Sequence, residues 1–269
     1  MITVGVCFSG VVTASDVDFK FSGKPIYIQS DDIEDDRKKD NWSGRLGVGL
    51  AIAPQFLGSD EHDISLSLDF KASYKERFFI ENNKFGALLH KGKLLRAGIL
   101  GRGVLGRRND FVTADLDGLR DVDDAFEIGV FAGTSLYKLF LTGEAYFDVS
   151  GVHKGFSIEF EGGYTFELSS DLSLTPILGA VWGSSNYMQT YFGVHENETE
   201  IYDAYTANGG LYELYAEAAL EQRLSKRWIL KASARVSALQ GSAARSPIVR
   251  GDGGSNGQLS TFVAAVWLF

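Results

Sequence analysis

Apolar and polar residues alternate strictly along runs of about twelve positions in this chain, and that limits its folds more than any other feature. Ile64, Leu66, Leu68, Phe70, Ala72 and Tyr74 fall on one face of an extended segment, while Ser65, Ser67, Asp69, Lys71 and Ser73 fall on the other. The same division sets Phe156, Ile158, Phe160, Tyr164, Phe166 and Leu168 against Ser157, Glu159, Glu161, Thr165 and Glu167. Period two is the signature of a strand with one apolar and one polar side. Strands in soluble sandwiches run to about five or six residues. Roughly 9–11 residues, tilted, are needed to cross a bilayer. Length therefore discriminates where alternation alone does not, and it points to a transmembrane barrel.

Bulk composition is compatible with this. Mean hydropathy is −0.04, and no apolar run approaches the roughly 18 residues of a membrane helix. In a barrel, lipid-facing and lumen-facing residues cancel in any average. The 31 glycines, 19 phenylalanines and 11 tyrosines against only 4 prolines suit a sheet protein with many turns. A net charge of −9 with no basic stripe argues against a nucleic-acid partner. The last segment, LSTFVAAVWLF (259–269), places Leu259, Val263, Ala265, Trp267 and Phe269 on one face. Its terminal aromatic residue resembles the sorting signal of bacterial outer-membrane barrels.

Alternation assigns strands to 42–53, 62–74, 77–82, 84–90, 94–106, 124–137, 139–149, 155–168, 171–182, 208–223, 227–239 and 258–269, twelve in all. Omitting the short third and fourth would leave ten. Tight turns of outer-membrane barrels face the periplasm and long loops face outside. Counting back from Phe269, the connections at 224–226, 169–170, 138, 91–93 and 75–76 fall on the periplasmic side. The long segments 183–207, 240–257, 107–123 and 54–61 fall on the other. The expected fold is thus an all-β, antiparallel, up-and-down transmembrane barrel over residues 42–269. Trp42, Tyr74, Phe166, Trp228 and Trp267 are expected at the periplasmic rim, with Trp182 at the outer rim, where amphipathic rings prefer to sit. Pro176 falls inside a strand that should be fully paired, which predicts a bulge there.

Ahead of the barrel, residues 1–14 read as a signal peptide, with Val12-Thr13-Ala14 as the cleavage site. Residues 15–41 form a charged N-terminal segment, and QSDDIEDDRKKDN (29–41) within it reads as a solvated linker. Cys7 is the only cysteine, so no internal disulfide can form.

The polar side of the strands carries both signs of charge. A hairpin turning symmetrically about Lys226 sets Glu221 opposite Lys231 and Glu217 opposite Arg235, and facing opposite charges stabilise a strand pair by roughly 0.2–1 kcal/mol each. Glu213, Arg45, Asp69, Lys71, Arg102, Glu127, Glu144, Asp148, Glu159 and Glu161 are also inward by parity. Two readings stay open: a charge-paired filling of a narrow barrel, or an acidic, cation-preferring channel for small solutes. No catalytic site is expected. His62, His90, His153 and His195 are scattered, and no serine has nucleophile spacing. The acidic loop 115–124 begins Asp-x-Asp-Gly but lacks the bidentate glutamate of a calcium loop, so neither a metal nor a cofactor is expected. It reads as a solvated outer loop, or one bridged to lipopolysaccharide through divalent ions.

Several blocks together resemble the MltA-interacting protein/OmpV family of outer-membrane proteins: GVGLAIAPQFLGSDEHD (47–63), the Gly-Arg pair at 106–107, NYMQTYFGV (186–194), YTANGGL (205–211) and SARVSALQGSAARSPIV (233–249). Gln55-Phe56 departs from the acidic residue and tyrosine often found there in the family. The resemblance implies a non-enzymatic outer-membrane barrel in contact with lipid and lipopolysaccharide. One branch of the family is described as scaffolding a murein transglycosylase and a peptidoglycan synthase. The most specific blocks place Tyr187, Met188, Tyr191 and Phe192 in one outer loop and Ser246 and Pro247 in the next. These six are expected to pack the loops over the mouth or, alternatively, to contact a ligand.

Overall fold

The computed structural model describes residues 25–28, 41–107, 116, 118–198 and 202–269. The signal reading, Cys7, most of the charged N-terminal segment and the first part of the acidic loop lie outside these residues. Strands follow one another as antiparallel neighbours: β1 (Trp42–Pro54), β2 (His62–Tyr74), β3 (Phe78–Glu81), β4 (Lys84–Lys91), β5 (Arg96–Val104), β6 (Ala125–Leu136) and β7 (Leu139–Asp148). The second half holds β8 (Phe156–Tyr164), β9 (Phe166–Glu167), β10 (Leu172–Gly183), β11 (Gly210–Arg223), β12 (Trp228–Leu239) and β13 (Gly257–Leu268). β8 and β9 are two parts of a single stave. The last strand pairs back on the first, from Arg45↔Leu268 to Ile52↔Thr261, which closes a twelve-staved cylinder. Beyond that register, Gly44 and Phe269 exchange backbone hydrogen bonds of 3.1 and 3.0 Å.

The outer surface carries the membrane signal. Ile64, Leu66, Phe160 and Leu178 leave between 61% and 80% of their surface open, a waste of apolar area in water but a match to hydrocarbon. Aromatic pairs ring the end that holds Phe269: Trp42 with Tyr74, Tyr164 with Phe166, and Trp267 with Phe269. Phe147, Phe156 and Trp182 do the same at the opposite rim. Tight turns collect at the Phe269 end. Lys75 and Glu76 take the left-handed conformation there, at φ 51 and 52°, in the turn joining β2 to β3.

The expected bulge at Pro176 is absent. Pro176 pairs with Ala218 in unbroken register, and the irregularity falls between Val181 and Trp182 instead. On its other side the register also runs straight, from Ile177↔Gly163 to Leu174↔Phe166. Proline removes one rung of the ladder, and the lost rung interrupts the neighbouring stave at Thr165, splitting it into β8 and β9. The hydroxyls of Thr165 and Thr175, 3.1 Å apart, bridge that point.

The short third and fourth strands are real. Their hairpin ends at Asn82-Asn83, where the Asn82 carboxamide accepts from the Phe70 N–H at 2.9 Å and the Asn83 carboxamide donates to the Gly103 carbonyl at 2.9 Å.

Candidate functional site

The barrel interior and its loop-covered mouth hold nearly all the buried polar chemistry. Inward positions cluster into three layers. Nearest the Phe269 end, Asp69 is fully buried and accepts from Lys231 at 2.8 Å and from Arg45 at 3.1 Å. Glu221 joins them at 3.3 Å from Arg45 and 3.8 Å from Lys231, and Lys71 pairs with Glu81. In the middle layer, Glu144 accepts from Lys84 at 2.6 Å and from the Tyr146 and Tyr27 hydroxyls. Arg102 pairs with Glu127 and lies 3.6 Å above the Tyr146 ring. In the layer below the mouth, Arg235 donates to Glu217 at 2.9 Å and lies 4.1 Å above the Tyr215 ring. The Tyr215 hydroxyl stands 3.0 Å from both Glu159 and Glu161.

The hairpin register sets Glu217 opposite Arg235 and Glu221 opposite Lys231. Lys231, however, makes its shortest contact with Asp69 on β2, three staves along the wall from its own strand. Asp148 departs from the inward set. Its carboxylate accepts the backbone N–H groups of Ser150, Gly151, His153 and Lys154 and so organises the loop after β7.

That loop delivers a residue with no partner legible in sequence. His153 is buried, with Nδ1 accepting from the Gly155 N–H at 3.1 Å and Nε2 lying 2.9 Å from Glu127. Accepting at Nδ1 fixes the proton on Nε2, so the imidazole donates to the carboxylate. Tyr146, Tyr212 and Tyr215 were likewise not singled out. Tyr146 and Tyr215 share the parity of the inward glutamates on their strands, so that signal was there to be read, whereas Tyr212 is out of step with Glu213, Glu217 and Glu221 and turns inward at the register irregularity opposite Val181 and Trp182. A ring as large as Tyr215 fits only because Gly179 faces it, where a Cβ would stand 2.0 Å from the ring.

Sequence gave no sign of the occupant of the lower lumen. Residues Pro25 to Ile28 lie inside the barrel, with Ile28 fully buried. The Tyr27 ring packs 4.2 Å from that of Phe131 and 5.6 Å from that of Phe79, and Arg96 donates to its carbonyl at 3.3 Å. Ile28 occupies the space that Gly133 leaves open, where a Cβ would lie 2.4 Å from its Cδ1. Part of the N-terminal segment is therefore a plug.

At the opposite end two loops form a lid. Helix α1 (Ser185–Phe192) is capped by the Ser184 hydroxyl, which accepts from the Tyr187 N–H. It buries Tyr187, Met188 and Phe192 and leaves Tyr191 partly buried against the same cluster. The phenol of Tyr187 meets that of Tyr212 at 3.1 Å, and burial pushes its pKa up to about 12. Helix α2 (Pro247–Arg250) starts at Pro247 and is capped by Ser246, whose hydroxyl also donates to the Phe192 carbonyl at 2.7 Å. Ser246 thus ties the two loops together. Phe56, Leu116, Leu119, Val194, Tyr202 and Ile248 form a separate apolar cluster above them. Among the described residues, no group of three His, Cys, Asp or Glu converges as a metal site would require.

Replacing both Tyr191 and Phe192 with Ala removes the centre of the lid. A buried Phe→Ala change costs about 3–5 kcal/mol, so proteolysis within residues 184–209 should accelerate at least tenfold while the barrel stays resistant. Equal digestion of variant and parent would show that the loops are held by other contacts.

The sequence profile of the family described as "MltA-interacting protein MipA" matches residues 46–269. No curated protein matches the chain. Among solved structures, the outer-membrane channel DcaP of Acinetobacter baumannii aligns over 85% of this chain and 96% of its own, at 10% identity and a TM-score of 0.41. The NanC porin aligns over 83% and 99%, at 10% identity and a TM-score of 0.43. OmpT of Vibrio cholerae aligns over 85% and 98%, at 9% identity and a TM-score of 0.38.

Proposed function

Because this chain belongs to the MltA-interacting protein MipA family, we propose that it is a non-enzymatic outer-membrane barrel with a structural role, holding murein-synthesising and murein-cleaving enzymes near the membrane. The observation that carries the proposal is the filled interior. Plug, three charge layers and lid obstruct the cylinder along its length and leave a cavity of ≈ 120 Å³ beneath α1, an arrangement suited to a rigid anchor rather than an open pore. A partner acting on peptidoglycan would meet the end with the tight turns. There Tyr137 is 97% exposed between β6 and β7.

A photo-crosslinking amino acid at Tyr137, activated in the intact envelope, is expected to capture a lytic transglycosylase or a peptidoglycan synthase. Recovery of lipopolysaccharide and other barrels alone would defeat the scaffold assignment. The second reading, a small-solute channel preferring cations, draws support from the charged lining. Steady, discrete openings of the unmodified protein in a planar bilayer would favour it over the scaffold.

A further inference from the structure

The end of the barrel that holds Phe269 is basic, although the chain as a whole carries a net charge of −9. Its turns, residues 75–77, 91–95, 137–138, 165–171 and 223–227, contain eight Lys and Arg against three Asp and Glu. Lys91 pairs with Glu76, and Lys138 with Glu167 at 2.9 Å. Lys75, Arg77, Lys93, Arg223, Lys226 and Arg227 are exposed and have no ion-pair partner among the described residues. Asp171 is the acidic side chain left to face them, and its carboxylate accepts from the Ser170 hydroxyl at 2.9 Å. The six cations come from three separate hairpins, so no run announces them in the sequence. The charge layer behind them cancels itself, Arg45, Lys71 and Lys231 against Asp69, Glu81 and Glu221.

The direction of these side chains selects what they meet. Arg223 stands opposite Ile229, which is buried on the lumen side. Arg77 lies two residues before the buried Phe79, and its carbonyl accepts from the Leu88 N–H at 2.7 Å, so the ladder and its alternation reach it. Arg227 is held likewise by the Leu268 N–H at 2.8 Å, and Lys75 donates its N–H to Asn41 at 2.7 Å on the face of Asp69 and Lys71. Period two therefore sets all four on the lumen side of the wall. Their neighbours on the lipid side are Phe78, Leu224 and Trp228, all exposed. Lipid headgroups thus meet aromatic and apolar side chains, while the cations gather round the mouth and face the periplasm. This ring of charged tips has no apolar centre, which a protein interface carries. A polyanion needs none, because spaced cations hold it by their summed field. We propose that the ring binds peptidoglycan directly, through the free carboxylates of its stem peptides, and so seats the barrel on the murein. The proposal rests on the functional reading above only for which end faces the murein, and it requires no enzyme.

Sedimentation of the detergent-folded protein with purified, protein-free sacculi tests it. The parent should pellet with sacculi at low salt, and binding should weaken roughly tenfold once salt screens the charges. Sacculi whose carboxylates have been amidated should bind at least tenfold more weakly. Arg77→Glu with Arg227→Glu should lose as much while the barrel keeps its heat-dependent gel mobility. Lys93→Glu with Lys226→Glu, nearer the hairpin tips, decides the matter if that variant fails to fold. Arg245→Glu with Arg250→Glu makes the same charge change at the opposite end and should bind as the parent does. Equal pelleting with amidated sacculi would overturn the proposal, as would binding that survives both reversals at the ring, which would leave its cations to lipid headgroups. Binding seen only after Asp31→Asn, Asp32→Asn, Glu34→Gln, Asp35→Asn and Asp36→Asn would also overturn it, since the ring would then serve its own chain. A Tyr137 crosslink to a murein enzyme without any pelleting would keep the scaffold reading and sink this one.

Discussion

Asp69→Ala is expected to destabilise the barrel by about 3–5 kcal/mol, the range for leaving a buried charge uncompensated. The carboxylate has no exposed surface and receives Lys231 from β12 and Arg45 from β1, with Lys71 two residues along its own strand. Alanine would leave these cations facing one another in a closed interior. Glu221 stands within reach of both Arg45 and Lys231, but its side chain is 36% exposed and cannot replace a fully desolvated partner. Asp69→Asn keeps the shape and some hydrogen bonding, so it should fall between parent and alanine. The measurement is the denaturant midpoint of the lipid-refolded protein, followed by heat-dependent gel mobility. Adding Lys231→Met to Asp69→Ala should recover part of the loss, because one buried cation goes with the anion it matched. A midpoint unmoved by Asp69→Ala would mean that water or counter-ions already compensate the cluster.

The second large effect concerns the plug. Tyr27→Ala combined with Ile28→Ala removes two side chains that together fill the lower lumen. Each such truncation costs about 2–5 kcal/mol where the site is packed, enough to release a segment held by a few residues. Glu144 would keep Lys84 and Tyr146, so the barrel itself should retain its gel mobility. In planar bilayers the parent is expected to show no steady conductance. The double variant should show discrete openings. If the variant stays silent, the charge layers seal the cylinder by themselves and the plug has another task.

How much of this was legible depended on the distance over which each signal acts. The strands could be read because alternation persists for about twelve residues and a one-residue slip would turn every apolar side chain inward. Glu217 and Arg235 could be placed opposite each other because a tight turn fixes the register of its hairpin. Asp69 with Lys231 could not, since that contact spans β1 and β13 and exists only once the cylinder closes. His153 with Glu127 was out of reach for a different reason: the histidine sits in the loop after β7, whose shape is set by the Asp148 carboxylate rather than by strand parity. Tyr27 was out of reach for another reason: a short apolar stretch separated from the barrel by a charged run has no periodicity, and what it packs against is set by glycines such as Gly133 far along the chain. Pro176 was recognised as an anomaly but assigned the wrong remedy, because the missing rung is absorbed by the neighbouring stave rather than by its own strand.

The seam between β1 and β13 has a consequence for how the protein is made. Its contacts join residues near 45 to residues near 268, with Phe269 lying against Gly44, where a Cβ would stand 2.5 Å from its ring. Such maximal sequence separation carries the largest loop-closure penalty of any pairing in the chain. Until the final strand emerges, both margins of the growing sheet present open backbone groups, a template for aggregation. Biogenesis of this protein therefore calls for an escort that occupies those margins and yields them to each other in the last step.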